Sequence, residues 1–191
     1  YPLRRQRQMC IRDRGHTAIG SGCEIGPNAM VRDCIVGKDT TINASQVNES
    51  TIGSHTTVGP FTYVRPNCCI GDHCRVGDFV EVKNSVIGDG TKISHLTYVG
   101  DSDVGQRVNF GCGTVTTNYD GHKKHRCTIG DDVFLGCNTN LIAPVTVADR
   151  AYTAAGSTVT DDVPEGALAI ARQRQTNIRG WADRLRKTWK K

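Results

Sequence analysis

A six-residue repeat is the feature of this sequence that most constrains how the chain can fold. From Ile19 to Val159 an aliphatic residue followed by a small residue, usually glycine, recurs at steps of six and sometimes five. The clearest units are Ile19-Gly20, Ile25-Gly26, Val36-Gly37, Ile52-Gly53, Val58-Gly59, Ile70-Gly71, Val76-Gly77, Ile87-Gly88, Val99-Gly100, Val104-Gly105, Ile129-Gly130 and Leu135-Gly136. The weaker positions are Val31, Ile42, Val47, Val64, Val82, Ile93, Phe110, Leu141, Val147, Thr153 and Val159. The region lacks the 3.6-residue apolar period of an amphipathic helix.

The repeat predicts an all-β fold, a left-handed parallel β-helix built from hexapeptide units. Three short strands form one triangular coil of about eighteen residues, with the aliphatic residue of each unit pointing inside. The small residue that follows lies at a tight corner, where a side chain would crowd the turn. Each coil buries its aliphatic residues against its two neighbours, and the repeat region is long enough for about seven coils.

One break in the repeat predicts an extended loop. Phe110 and Ile129 are nineteen residues apart, which exceeds a multiple of the repeat step. The surplus lies in the polar, basic stretch Thr117–Cys127, which contains the turn signal Asp120-Gly121. A long loop that leaves a regular coil usually carries function. A tolerated insertion without function is the alternative.

Both ends of the chain differ from the repeat. Residues 1–14 contain no hexapeptide unit and are expected to be a non-native or disordered leader, so the β-helix domain is assigned to residues 15–170. Residues 171–191 form a basic tail in which Trp181, Leu185 and Trp189 stand at helical spacing. This tail is expected to form a short helix that caps the open coil or docks on a neighbouring chain.

The distribution of charge argues against nucleic-acid binding. The chain carries a formal net charge of +5, of which residues 1–14 contribute +4 and residues 172–191 contribute +7. The body between them is therefore acidic, with a net charge of −6. A nucleic-acid-binding protein is expected to carry its basic surface on the folded body.

Composition also bears on the compartment. No stretch approaches the about 20 apolar residues of a membrane span, and the N-terminus lacks the apolar segment of a signal peptide. The nine cysteines contain no CxxC pair, and several stand at repeat positions that would be buried. We therefore expect a cytoplasmic protein without a membrane segment or a metal site, whose cysteines are mostly reduced packing residues.

Two cations on the predicted outer surface indicate an anion site. Arg65 and Lys83 are eighteen residues apart, which is one coil, so they are expected to stack on the same face. Stacked cations repel each other unless an anion lies between them, and phosphate suits arginine and lysine together. The alternative is a pair of solvated cations neutralised by Glu81 or Asp78.

His95 is the candidate general base. It follows Lys83 by twelve residues, two units further along the winding. Imidazole titrates near neutral pH and can take a proton from a reacting group. The alternative is a surface histidine with a structural partner. His55 and His73, also eighteen residues apart, are expected to stack on each other in a structural ladder.

Five motifs resemble those of one bacterial enzyme family. They are Gly59-Pro60-Phe61-Thr62-Tyr63-Val64-Arg65-Pro66, Gly77-Asp78-Phe79-Val80-Glu81-Val82-Lys83-Asn84, His95-Leu96-Thr97-Tyr98-Val99-Gly100-Asp101, Thr117-Asn118-Tyr119-Asp120-Gly121 and Val163-Pro164-Glu165-Gly166-Ala167-Leu168-Ala169. In this order and spacing the chain resembles, over residues 15–181, the C-terminal acetyltransferase domain of the bifunctional N-acetylglucosamine-1-phosphate uridylyltransferase/glucosamine-1-phosphate N-acetyltransferases. The resemblance implies acetylation of the amine of glucosamine 1-phosphate by acetyl-CoA, a step towards UDP-N-acetylglucosamine.

The resemblance also assigns roles to individual residues. His95 matches the general base that deprotonates the sugar amine. The positions that match substrate-binding residues are Arg65, Lys83, Tyr98, Asn109 and Lys124. The positions that match residues at the acetyl group and CoA are Cys112, Asn118, Tyr119, Cys137, Ala155 and Arg172. The implied assembly is a homotrimer with sites between subunits, in which the C-terminal tail contributes to a neighbour's site.

The sequence departs from the family in three respects. Cys137 stands where the family usually has serine, and Cys112 stands where it has alanine. Contacts made by backbone groups would survive both changes, whereas a contact from a serine hydroxyl would weaken. No Gly-rich nucleotide-binding segment is found in the chain, so uridylyl transfer and its Mg²⁺ are expected only of a longer parent protein.

Three other functions remain open at this point. A hexapeptide acyltransferase for serine or another sugar would share the repeat and the CoA site, but would not need Arg65 and Lys83. A β-helical carbonic anhydrase would need three zinc-binding histidines, for which His95, His122 and His125 are the only plausible set. A non-catalytic, surface-binding β-helix would show flat ladders of threonine, whereas the threonines here are scattered.

Overall fold

The structure is a computed structural model that describes residues 12–189, most of which form short strands joined at sharp corners. The first thirteen strands are β1 (Arg12–Arg14), β2 (Ala18–Ile19), β3 (Glu24–Gly26), β4 (Met30–Arg32), β5 (Ile35–Val36), β6 (Thr41–Asn43), β7 (Gln46–Asn48), β8 (Thr51–Ile52), β9 (Thr57–Val58), β10 (Tyr63–Val64), β11 (Cys69–Ile70), β12 (Arg75–Asp78) and β13 (Glu81–Lys83). The second thirteen are β14 (Val86–Ile87), β15 (Lys92–His95), β16 (Tyr98–Gly100), β17 (Ser102–Val104), β18 (Asn109–Phe110), β19 (Val115–Thr117), β20 (Cys127–Ile129), β21 (Phe134–Leu135), β22 (Asn140–Ile142), β23 (Val145–Val147), β24 (Tyr152–Thr153), β25 (Thr158–Val159) and β26 (Leu168–Ala169).

Every third strand lies in the same parallel sheet, so the strands form the three faces of a prism. Sheet A contains β1 and every third strand after it to β25, and sheet B contains β2 and every third strand after it to β23. Sheet C contains β3 and every third strand after it to β24, followed by β26. The prediction of an all-β, left-handed parallel β-helix is therefore confirmed.

The stack is taller than the repeat predicted. Sheets A and C have nine strands and sheet B has eight, against about seven expected coils. Some coils are shorter than eighteen residues: Met30 pairs with Gln46 in the next coil, which is sixteen residues further along the chain. In addition, β1 precedes the first repeat unit and β26 follows the last. Residues 12–14, assigned to the leader, therefore extend the stack by pairing with β4, whereas residues 1–11 lie outside the described part.

Inward-pointing aliphatic side chains form one continuous core along the prism. Sheet A contributes a column of completely buried valines at Val31, Val47, Val64, Val82 and Val99. Most of the other predicted repeat positions are buried as well. Ile19 is an exception at 38% exposure, because the first strand of sheet B has a neighbour on one side only.

The small residue after each aliphatic residue is required by the neighbouring coil. An added Cβ at Gly37 would lie 2.5 Å from the backbone nitrogen of Ser54. At Gly88 it would lie 2.5 Å from the carbonyl carbon of Gly105. The predicted crowding is therefore real, and its source is the backbone of the next coil rather than the turn itself.

Buried hydroxyl and thiol groups join successive coils. Thr56 Oγ1 donates to the carbonyl oxygen of Gly71 at 2.8 Å and accepts the N–H of Cys74 at 3.0 Å. Cys74 occupies the equivalent place one coil further on, and its thiol donates to the carbonyl oxygen of Gly88 at 3.2 Å. The predicted packing role is confirmed for the buried free thiols Cys34, Cys68, Cys74 and Cys127. Two other thiols, those of Cys69 and Cys137, are exposed.

A short helix, α1 (Trp181–Thr188), follows the last coil. It confirms the helical spacing of Trp181 and Leu185, and Trp189 lies directly after its last residue. None of its residues is buried, and the two tryptophans are 54% and 70% exposed. Among residues 12–189 no helix has the length and apolar character needed to cross a membrane.

We predict that Ile52→Ala lowers the free energy of unfolding by about 2–5 kcal/mol, because it removes a completely enclosed side chain and leaves a cavity. Ile52 is 1% exposed, and its neighbour Thr51 in the same strand points outward. The matched control, Thr51→Ala, should change stability by about 0.5 kcal/mol or less. Denaturant unfolding of both variants checks the assignment of inward and outward positions, and equal losses would contradict it.

Candidate active site

One edge of the prism carries a column of candidate functional residues. Where the chain passes from sheet C to sheet A, Asp78 and His95 occupy the same position in successive coils. The strand register extends this column, which we call the C-to-A edge, to Asp78, His95, Cys112, Cys137, Ala155 and Ala171. The candidate general base therefore stands in line with several of the implied CoA positions.

His95 is oriented by a carboxylate from the preceding coil. Its Nδ1 atom lies 2.9 Å from Oδ1 of Asp78, and the two side chains are 51% and 38% exposed. When Nδ1–H donates to the carboxylate, Nε2 is the atom that accepts a proton. The backbone N–H of Asp78 and the bond from His95 lower the pKa of Asp78. Sequence reasoning treated Asp78 only as a partner for the cations. Its position one coil before His95 is the sequence feature that could have identified it as the carboxylate that orients this histidine.

The opposite side of sheet A, where the chain passes to sheet B, carries the predicted cations. Arg65 and Lys83 stack in successive coils at this A-to-B edge, as predicted. Arg65 Nη1 lies 2.9 Å from Glu81 Oε1, and Lys83 Nζ lies 3.2 Å from Asp101 Oδ2. The alternative pairing with Glu81 is therefore correct for Arg65, whereas Asp78 lies at the other edge. Each cation has a carboxylate beside it even without a bound anion.

A third cation joins them from the loop. Contact with Lys83 lowers the pKa of Lys124, and the charge of Arg65 acts in the same direction. A lowered lysine pKa indicates an excess of positive charge around the ammonium group. Arg65, Lys83 and Lys124, which we call the cation cluster, thus place three positive charges beside two carboxylates. Such a surplus favours an anionic ligand.

Asp101 connects the cation cluster to the loop. It is buried, at 4% exposure, and its carboxylate accepts hydrogen bonds from Lys83, from Asn84 Nδ2 at 2.6 Å and from Asn118 Nδ2. Burial by itself would raise the pKa of Asp101, but the bonds from Asn84, Asn118 and Lys83 outweigh it, and the pKa is lowered. Asp101 is therefore an ionised, buried hub, a role that sequence reasoning did not assign to it.

Tyr98 lies on the face of sheet A between the two edges. It begins β16 in register with Glu81, and its hydroxyl oxygen lies 3.3 Å from Asn118 Nδ2. Gly100 makes room for this contact, since an added Cβ would overlap the Tyr98 hydroxyl and lie 2.8 Å from Asn118 Nδ2. A continuous face with Tyr98 in its middle therefore runs from His95 to the cation cluster.

The predicted loop is a short antiparallel hairpin at the A-to-B edge. Tyr119 and Lys124 form an antiparallel bridge. Asp120 Oδ1 accepts two backbone N–H groups at 2.7 Å each, and its Oδ2 lies 2.7 Å from Nε2 of His125. These backbone bonds and the bond with His125 lower the pKa of Asp120. The carboxylate of Asp120 thus holds the turn that presents Lys124.

The implied cofactor and substrate positions are divided within one chain. Cys112, Cys137 and Ala155 lie in the C-to-A edge, and Arg172 follows its last member. Asn118 and Tyr119 lie at the other side of sheet A, beside the cation cluster. Asn109 begins β18 in sheet C. One chain therefore brings together His95, Tyr98 and the cation cluster on one face, but not all of the implied CoA residues.

Three of the other histidines, His55, His73 and His125, have structural partners. His55 and His73 stack with ring centroids 4.9 Å apart and an angle of 6° between the rings, which confirms the predicted ladder. The three histidines of the carbonic anhydrase alternative are not gathered, since His95 contacts Asp78 and His125 contacts Asp120. Within residues 12–189 no three His, Cys, Asp or Glu side chains are grouped as ligands for a metal ion.

Comparison with known proteins finds one matching family profile and several similar sequences. A family profile described as Bacterial transferase hexapeptide (six repeats) matches residues 49–84 and 126–161. The bifunctional protein GlmU of Clostridium acetobutylicum is 55% identical over 171 residues, which cover 90% of this chain and 38% of the relative. GlmU of Geobacillus sp. strain WCH70 is 56% identical over 171 residues, covering 90% of this chain and 37% of the relative. The chain thus spans less than two-fifths of the length of these relatives.

Solved structures support the fold. UDP-N-acetylglucosamine acyltransferase from Campylobacter jejuni has a TM-score of 0.63 at 18% identity, covering 96% of this chain and 82% of that chain. A point mutant of perosamine N-acetyltransferase from Caulobacter crescentus, in complex with CoA and GDP-perosamine, has a TM-score of 0.52 at 26% identity. That match covers 59% of this chain and 51% of the other.

We predict that Asp101→Asn destabilises the protein by about 1–3 kcal/mol at neutral pH, because it weakens a buried hydrogen-bonded network. A carboxylate with a lowered pKa stabilises the folded state above its ordinary pKa of 3.8, and this contribution is lost as the pH falls through the lowered value. The difference in the free energy of unfolding between Asp101→Asn and the unmodified protein should therefore become smaller at acidic pH. Denaturant unfolding across pH measures it, with Asp161→Asn at an exposed position as the control. A difference that persists at the lowest pH would contradict the charge-based explanation.

Proposed function

This chain is homologous to part of the bifunctional protein GlmU, and from that relationship and the site geometry we propose that it is a glucosamine-1-phosphate N-acetyltransferase. It transfers the acetyl group of acetyl-CoA to the amine of glucosamine 1-phosphate, a step in the synthesis of UDP-N-acetylglucosamine. The observation that carries the proposal is the placement of His95, backed by Asp78, and of the cation cluster at opposite ends of one face. The activity of the remaining three-fifths of the relatives' length is not assigned to this chain.

His95 acts as the general base of the reaction. A protonated amine has no lone pair with which to attack a thioester, so Nε2 of His95 takes a proton from the sugar ammonium group. The amine then attacks the acetyl carbonyl carbon, the C–S bond of the tetrahedral intermediate breaks, and the proton that the amide nitrogen loses goes to the departing CoA sulfur, without an acyl-enzyme. Asp78 is a positioning residue, since its bond to Nδ1 selects the reactive tautomer and stabilises the imidazolium that forms.

The cation cluster selects the substrate by its phosphate. Arginine binds phosphate oxygens in pairs and lysine acts as a point charge, so Arg65, Lys83 and Lys124 together suit a phosphate monoester. Tyr98 lies between this cluster and His95, where the sugar ring of a bound hexosamine phosphate would lie. Glucosamine 1-phosphate carries both groups, a phosphate on C1 and an amine on the adjacent C2, so in this proposal the long side chains of the cluster reach across the face to a phosphate held near the amine at His95.

Acetyl-CoA lies along the C-to-A edge in this proposal. Four coils separate His95 from Ala171, which is about 19 Å at about 4.8 Å per coil. An extended thioester aligned with this edge places its reactive end at His95 and its phosphates near Arg172 and the basic tail, whose charge is complementary. The CoA in the complex of the perosamine N-acetyltransferase supports the use of an acyl-CoA donor on this fold.

The working assembly is a homotrimer with sites between subunits. Phe61, Phe79 and Leu96 form an exposed apolar ladder beside the C-to-A edge, at 60%, 58% and 58% exposure, and the two phenyl rings stack with centroids 5.4 Å apart. Such a ladder favours burial against another chain. A neighbour at this edge would bring its own hairpin, with Asn118 and Tyr119, towards the proposed acetyl-CoA position. The free thiols of the described residues support a reducing, cytoplasmic location.

We predict that the purified chain, incubated with acetyl-CoA and glucosamine 1-phosphate, forms a product heavier by one acetyl group, as detected by mass spectrometry. His95→Ala should lower kcat by about 10²–10⁴-fold, the usual contribution of a general base. His73→Ala is the matched control, because that histidine is exposed and stacks on His55 away from the site. Mass detection avoids interference from the nine cysteines.

The oligomeric state decides how a negative result is understood. A trimer by sedimentation that makes no product would overturn the assigned acceptor and favour a different sugar or serine. A monomer that makes no product would place the failure in the assembly of the shared site. A product that survives unchanged in His95→Ala would exclude His95 as the base.

We predict that Lys83→Met raises KM for glucosamine 1-phosphate by about ten- to a hundred-fold, the effect of losing one charged hydrogen bond. The reaction with glucosamine, which has no phosphate, should be unaffected by the same change. Lys38→Met is the control, because Lys38 is exposed and lies outside the cation cluster. An equal loss with both acceptors would contradict a phosphate-binding role.

A further inference from the structure

Two accessible thiols stand beside His95 on the C-to-A edge and have no role in the proposed reaction chemistry. Cys112 and Cys137 occupy the same register position as His95, one and two coils further along. Coils are separated by about 4.8 Å, so the two positions lie about 5 and 10 Å from His95 along the edge. Cys112 is partly buried, Cys137 is exposed, and both are free thiols.

Most other cysteines of the described residues are protected from reaction. Burial raises the pKa of Cys34, Cys68 and Cys74, and it raises the pKa of Cys127 to about 11. The thiolate is the reactive form of cysteine, so these residues are poor nucleophiles at neutral pH. Cys69 is exposed but lies on the outer face of sheet B, away from the C-to-A edge. Cys69 therefore serves as the reference for how fast an exposed cysteine reacts when it does not lie beside the C-to-A edge.

The position of the two thiols relative to His95 defines their reaction partner, and this step rests on the proposed function. The amine that His95 deprotonates attacks a carbonyl carbon bonded directly to the CoA sulfur. That sulfur must therefore lie within a few ångströms of the acceptor amine, at the level of Cys112 or Cys137. A CoA molecule aligned by the edge and the basic tail presents its sulfur to these two cysteines.

We propose that Cys112 and Cys137 form a thiol-modification site for disulfides of CoA. The thiolate of one cysteine attacks a sulfur of the CoA disulfide, a new S–S bond forms between cysteine and CoA, and the second CoA leaves as a thiolate. One disulfide is exchanged for another, so no further oxidant is needed. The attached CoA occupies the acetyl-CoA position and blocks acetyl transfer until a thiol reduces the mixed disulfide.

The experiment treats the full chain with CoA disulfide and, separately, with glutathione disulfide, and locates adducts by peptide mass mapping. The adduct of CoA should form on Cys112 or Cys137 about ten-fold faster than on Cys69, because binding adds to intrinsic reactivity. Acetyl-CoA should slow this reaction, and glutathione disulfide should show no preference for the pair. The double variant Cys112→Ala, Cys137→Ser should lose the preferred adduct, whereas Cys69→Ser should keep it.

The mass readout separates this inference from the proposed function. Equal rates at Cys69 and at the pair, or an equal preference with glutathione disulfide, would overturn the modification site even if acetyl transfer is observed. A preferred adduct that acetyl-CoA suppresses, in a chain that does not acetylate glucosamine 1-phosphate, would support the site and reject the acceptor. Adduct formation should persist in His95→Ala, because thiol–disulfide exchange at the pair does not use that base.

Discussion

The parallel register between successive coils is the constraint on which every functional position in this protein depends. Inward valines such as Val64 and Val82 pair across sheet A and are completely buried. Because side chains alternate along a strand, a slip of one residue would expose these valines and turn their neighbours into the core. Burial of the aliphatic column therefore determines which residues face outward. It also places residues that are one coil apart directly beside each other.

The charged groups of the site follow the same rule. Asp78 contacts His95, Glu81 contacts Arg65 and Asp101 contacts Lys83, and each contact joins adjacent coils. The stacked cations are tolerated because carboxylates at neighbouring positions of the stack lie beside them. The hairpin adds Lys124 as a third positive charge, and its contact with Lys83 lowers the pKa of Lys124. The surplus of positive charge on this face thus arises from a loop placed on a regular scaffold.

The triangular cross-section distributes the candidate residues over two edges of one face. The C-to-A edge carries His95, Cys112 and Cys137 in line, and the A-to-B edge carries the cation cluster and the hairpin. A rigid prism cannot bring its two edges together, so a site that needs both needs either a ligand that crosses sheet A or a second chain. For the implied acetyl-CoA residues, the exposed ladder of Phe61, Phe79 and Leu96 beside the first edge favours a second chain.

The repeat by itself determined the fold, the buried aliphatic positions, the stacking of Arg65 on Lys83 and the place of the hairpin, because a period of six allows one winding and one inward position per unit. The position of His95 two units after Lys83 made it the candidate base, and the resemblance of the motifs implied the same role. Only the tertiary structure showed that Asp78 orients His95 and that Asp101 is a buried hub for Lys83 and Asn118. These partners depend on side-chain direction and distance across coils, which a one-dimensional period does not specify.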